Sequence, residues 1–145
     1  MTWPSLASEL LALADTHRLG VTLLPEDRAS QIRERVMGAW RKDRRRRLLW
    51  EQLAGSSVQD PEGWRRIPDY VGDAGCVLFF DESTCDDLLA VPSGAALRTL
   101  LEESYHFEFY VTGTGDDYVL AFNHHDFLVG AGSAEAFVER LRRRT

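Results

Sequence analysis

The segment from Phe107 to Gly130 constrains the fold of this chain more than any other. Phe107, Phe109 and Val111 alternate with Glu108, Tyr110 and Thr112, the period-two pattern of a strand with one face in a core. Gly113-Thr114-Gly115-Asp116-Asp117 supplies a turn and Tyr118 to Phe122 begins a return strand, so the pair reads as a hairpin with a longer loop. Asn123-His124-His125-Asp126 interrupts, and Phe127-Leu128-Val129-Gly130 continues into a third strand. The pattern predicts a three-stranded antiparallel meander over 107–130.

Other segments add to this sheet or cover it. Cys76-Val77-Leu78-Phe79-Phe80 is apolar at every position, as a strand covered on both faces is. Leu88 to Val91 and Trp64 to Ile67 read as short strands. Pro92 and Ser93 open a helix that buries Leu97, Leu100 and Leu101, with Ser93 as its cap. Gly132 and Ser133 lead into a last helix packed through Ala136, Phe137 and Leu141.

In the N-terminal half, Trp3, Leu6, Leu10 and Leu13, with Ala7 and Ala14, predict an amphipathic helix over 4–17, stopped by Gly20. Pro25, Glu26 and Asp27 start a second helix along Ile32, Val36 and Trp40. Helix is expected on both sides of the arginine run, as far as Leu48, Leu49, Trp50 and Leu53. Gly55, Ser56, Ser57, Asp60, Pro61 and Gly63 then read as a loop. The expectation is one α+β domain over 1–145: a helical N-terminal half, then a small, mostly antiparallel sheet (meander 107–130) with flanking helices on one face.

The chain has 145 residues, 44% hydrophobic and 28% charged, enough to bury a core without disulfides or metals. No run approaches the ~20 apolar residues of a membrane span. Met1-Thr2-Trp3-Pro4 lacks a basic region followed by an apolar stretch. Two cysteines, Cys76 and Cys85, suit a reducing compartment. A cytoplasmic location and no membrane partner are therefore expected.

A net charge of −6 argues against general nucleic-acid affinity, which is driven by counterion release to Lys and Arg. Basic residues are nonetheless clustered at Arg41, Lys42 and Arg44 to Arg47, and again at Arg140 and Arg142 to Arg144. Between them lie Asp81, Glu82, Asp86, Asp87, Glu102, Glu103, Asp116 and Asp117. Such a split presents either ordinary solvated surface or an acidic face for a basic partner.

The most unusual local motif is Asn123-His124-His125-Asp126, with His106 as a third imidazole in the same half. Two imidazoles and a carboxylate form a ligand set for zinc or non-haem iron, or a histidine base oriented by Asp126. Adjacent histidines in extended chain point to opposite faces, which weakens the metal reading. The structural alternative has Asn123 and Asp126 bracket a tight turn through side-chain to backbone hydrogen bonds, one histidine packed and the other exposed. Glu103 and Glu108 read as solvated acids, and Gly113-Thr114-Gly115 lacks the lysine and following helix of a phosphate loop. Cys85 beside Asp86 and Asp87 makes a poor thiolate, and Cys76 a buried small hydrophobe. Trp40, Trp50 and Trp64 read as core or rim of the helical half.

Trp50-Glu51-x-Leu53, Trp64-x-x-Ile67-Pro68, the run ending Phe79-Phe80, Phe107-Glu108-Phe109-Tyr110-Val111 and Phe122-Asn123-His124-His125-Asp126-x-Leu128-x-x-x-Gly132 resemble a family of small bacterial cytosolic proteins described as a domain of unknown function. The resemblance runs from about residue 30 onward, and the Asn-His-His-Asp segment is its specific motif. In style such proteins are similar to immunity proteins of bacterial toxin systems. The small single domain, the acidic loops around Asp81 to Asp87 and Asp116 to Asp117, and the lack of a convincing catalytic set point with that likeness to a non-enzymatic protein that blocks a toxin by surface complementarity and needs no cofactor. Its binding residues are expected to be Asp81, Glu82, Asp86, Asp87, Asp116, Asp117, Asn123, His124, His125 and Asp126. A histidine-based or metal-assisted enzyme centred on the same motif, and a nucleic-acid accessory protein using the arginine runs, are the alternatives.

Overall fold

The computed structural model describes residues 5–40, 53, 55–104, 107–115 and 117–144. Among them are five helices and one seven-stranded sheet. The helices are α1 (Leu6–Thr16), α2 (Glu26–Trp40), α3 (Gly63–Val71), α4 (Gly94–Glu103) and α5 (Glu135–Arg143). The strands are β1 (Thr22–Leu23), β2 (Ser56–Gln59), β3 (Cys76–Phe79), β4 (Leu89–Val91), β5 (Phe109–Gly113), β6 (Tyr118–Phe122) and β7 (Phe127–Gly132). The sheet order is β1-β4-β3-β5-β6-β7-β2, antiparallel at every pairing. This is the α+β fold with the expected meander, β5-β6-β7, at its centre.

Local chemistry sets the helix starts. Ser5 Oγ accepts the Ser8 N–H at 3.1 Å and Ser93 Oγ the Ala96 N–H at 3.1 Å, each capping the helix that follows. α1 buries Ala7, Leu10 and Ala14, while α2 buries Ala29, Ile32 and Val36, spacings that keep one helical face inward.

The sheet is covered on both sides, not one. Leu78, Val111, Leu120 and Leu128 face a layer that includes α1, α3, α4 and α5. Val77, Phe79, Tyr110, Val119 and Val129 face α2. The strand over 107–112 therefore differs from its expected form: it starts at Phe109 and both faces are buried, with Tyr110 1% and Thr112 0% exposed. Thr112 tolerates this because its hydroxyl donates to the Tyr118 carbonyl at 2.7 Å.

Two further expectations are corrected. Trp64 to Ile67 is helical: Trp64, Ile67, Pro68 and Val71 stand at i, i+3, i+4 and i+7 in α3, a helical stripe that a four-residue window hides. Ser56–Gln59, read as loop, forms the edge strand β2 on β7, with Ser56 opposite Gly130 and Gln59 opposite Phe127. Ser56 is buried and donates to Glu139 Oε1 at 2.9 Å, so its polarity is satisfied by α5. Gly94 lets α4 approach α3, since a Cβ there would lie 2.3 Å from the Pro68 carbonyl oxygen. The helix expected beyond the arginine run lies outside the described residues at Leu48, Leu49 and Trp50, and Leu53, its expected end, is a β-bridge residue instead; Trp3, His106 and Asp116 also lie outside the described residues.

Candidate functional site at the acidic end of the sheet

Register places the site. Phe79 pairs with Tyr110 and Phe109 with Phe122, so the loop after β3, the entry to β5 and the turn after β6 share one end of the sheet. β3 and β6 are two strands apart, about 10 Å at the usual ladder spacing. Asp81, Glu82, Asp86 and Asp87 thus lie at the same end of the sheet as Asn123, His124, His125 and Asp126. Cys76 pairs with Gly113, which puts Asp117 at the opposite end.

The Asn-His-His-Asp segment is a tight hairpin turn. Asn123, 2% exposed, holds it through Oδ1, which accepts the His125 N–H at 2.9 Å and the Phe127 N–H at 3.1 Å. The Asp126 N–H donates to the Asn123 carbonyl at 3.1 Å, and the Asn123 N–H to the Phe127 carbonyl at 3.2 Å. Asp126 adopts φ 64°, the left-handed residue that closes a three-residue hairpin loop and that aspartate tolerates. Asp126 contributes through its backbone, its carbonyl accepting the Asp60 N–H at 2.8 Å and so tying the turn to the chain entering α3.

Both histidines are exposed, which corrects the expectation that one is packed. Nor do they point apart: the turn sets the ring centroids 3.9 Å from each other at 45°. The carboxylate paired with His124 is Glu108, whose Oε1 meets Nδ1 and also accepts the His124 backbone N–H at 3.2 Å. Among the described residues no three His, Cys, Asp or Glu side chains are placed to hold a metal ion.

The acidic loop is built around a residue the sequence reading passed over. Arg33 extends from α2, its side chain only 11% exposed, and lies over the Phe79 ring with Cζ 5.5 Å from the centroid. Its guanidinium donates to the Phe80 carbonyl at 3.1 Å and the Asp86 carbonyl at 3.4 Å. Glu82 Oε1 stands 3.7 Å from Nε. Burial pulls the Arg33 pKa down, and Glu82, Asp86 and Asp81 oppose that shift. The loop is further turned by Asp81, whose Oδ1 accepts the Ser83 N–H at 3.1 Å and Oγ–H at 2.9 Å. The signal was present in the sequence: Arg33 follows Ile32 on the stripe Ala29, Ile32, Val36, an inward position for a cation.

Glu26, Glu82, Asp86 and Asp87 line a cleft of about 510 Å³ whose walls also include Leu23, Leu24 and Arg33. Leu23, 50% exposed, is the large hydrophobic side chain left open to solvent among the described residues. Cys85 is buried and its thiol faces Asp87 Oδ2 at 3.9 Å. Asp117, by contrast, is tied into the fold, its Oδ2 accepting the Ser133 hydroxyl at 3.3 Å.

Compared with protein-family models, curated proteins and solved structures, the chain has no match. No helix among the described residues is long and apolar enough to cross a membrane.

Proposed function

We propose that this chain is a non-enzymatic binding protein that docks the acidic end of its sheet onto a basic protein surface, in the manner of an immunity protein blocking a toxin. The observation that carries the reading is the half-buried Arg33, which ties down the acidic loop at Phe80 and Asp86. A loop held this way presents Glu82, Asp86 and Asp87 at little ordering cost on binding. Leu23 adds an apolar contact beside them, the pairing of anchor and charged rim that specific interfaces use. Complementary charge of this kind raises the association rate and rejects acidic partners.

The enzyme alternative has less support. His124 of the His124–Glu108 pair stands in solvent, 58% exposed, where water competes for any proton it would transfer. The nucleic-acid alternative rests on the arginine runs, of which the first lies outside the described residues and the second forms the last turn of α5.

Capture from lysate of the native host, run as a salt series, tests the proposal. The expected result is one basic protein retained at low salt, with an association rate that falls steeply as ionic strength rises. Recovery of no protein at any salt, or capture indifferent to salt, contradicts it.

A further inference from the structure

A second cavity, of about 260 Å³, lies between α2 and the β1-β4-β3 side of the sheet, towards the end opposite the acidic loop. Its floor is apolar, made by Leu24, Ile32 and Val77 on the face of the sheet that α2 covers, with Ile32 and Val77 3% and 6% exposed.

The rim is polar. Thr22, Arg28 and Thr114 border the opening and are all exposed. Arg28 carries the charge of this lining, which contains no carboxylate among the described residues. Its backbone N–H donates to Asp27 Oδ1 at 2.9 Å, but its guanidinium has neither an ion pair nor a hydrogen bond among the described residues. Glu26, two residues earlier on the same turn, lines the acidic cleft instead. The first turn of α2 therefore divides its charges, an acid to one cavity and an unpaired guanidinium to the other.

We infer that this cavity binds a small aliphatic carboxylate, its tail on the Leu24–Ile32–Val77 floor and its carboxylate on the Arg28 guanidinium. The rim cation and apolar floor match the two ends of such a molecule, and arginine is suited to bidentate carboxylate recognition. The volume falls just below the ~300 Å³ at which drug-sized pockets begin. It suits a chain of a few carbons, not a nucleotide or a long fatty acid.

The probe is hexanoate, titrated into the isotopically labelled protein and followed by amide resonances, with hexanamide as the uncharged isostere. Hexanoate is expected to shift the amides of Thr22, Ala90, Val91 and Thr114 saturably, with Kd below about 10 mM. Hexanamide is expected to bind at least about tenfold more weakly, the loss attending removal of a charge-assisted pair. Arg28→Gln, an exposed substitution, is expected to weaken hexanoate by a similar factor and leave hexanamide unchanged. Absence of saturable shifts with hexanoate overturns the inference. Equal binding of the two probes, or hexanoate binding that survives Arg28→Gln, overturns it as well.

Discussion

At one end of the sheet the exposed Asp117 carboxylate accepts the Ser133 hydroxyl, which also contacts the Tyr70 hydroxyl at 2.8 Å. At the other end Glu82 and Asp86 flank a half-buried guanidinium while keeping their side chains in solvent. In sequence the two acidic patches look alike; in the fold one supports a hairpin and the other forms a surface. The difference comes from the donors that reach them. A hydroxyl from the next turn takes up a carboxylate, whereas Arg33 bonds backbone carbonyls and leaves the neighbouring carboxylates facing outward.

The sharpest way to break this contrast is Arg33→Met, which keeps the packing on Phe79 but removes the bonds to Phe80 and Asp86. Two bonds from a charged donor are worth about 3 kcal/mol together, and urea denaturation is expected to show a loss of that size. The same variant is expected to weaken partner capture, because the loop carbonyls lose their anchor. Asn123→Ala comes next. It strips the acceptor from two backbone N–H groups at 2.9 and 3.1 Å, a loss of about 2 kcal/mol, with the His125 and Phe127 amides exchanging faster with solvent.

Asp117→Asn sits at the small end of the scale. It keeps an acceptor for Ser133 on an exposed residue, so the change is expected to stay within about 0.5 kcal/mol and to leave capture untouched. A pH dependence separates the buried core from both surfaces. The Cys76 thiol is raised from 9.0 to about 12 in the fold, so an unfolded chain ionises it first. Its contribution to stability is complete below pH 9.0 and is lost as pH rises towards 12, a decline that Cys76→Ala is expected to flatten.

The strands of the meander and the cap at Ser93 were legible because each rests on a local pattern, alternation for one and a hydroxyl before an apolar run for the other. β1 and β2 were not. Thr22–Leu23 and Ser56–Gln59 are short edge segments whose strand character comes from β4 and β7, partners distant in sequence. The second covered face escaped notice for a similar reason: Tyr110 and Thr112 look solvent-facing until α2 is laid across them. At the site, the turn role of Asn123 was readable from side-chain chemistry. The pairing of His124 with Glu108 was not, since their separation of 16 residues is closed only by the β5–β6 register.

Association kinetics with the captured partner, measured for Asp86→Lys beside Asp73→Lys, test the central claim most directly. Both residues are exposed and both substitutions change the charge equally, but Asp73 precedes β3 at the far end of the sheet. The account expects Asp86→Lys to slow association by about tenfold or more at low salt and Asp73→Lys to leave it near wild type. Equal slowing by the two, or slowing by Asp73→Lys alone, would contradict docking through the acidic end.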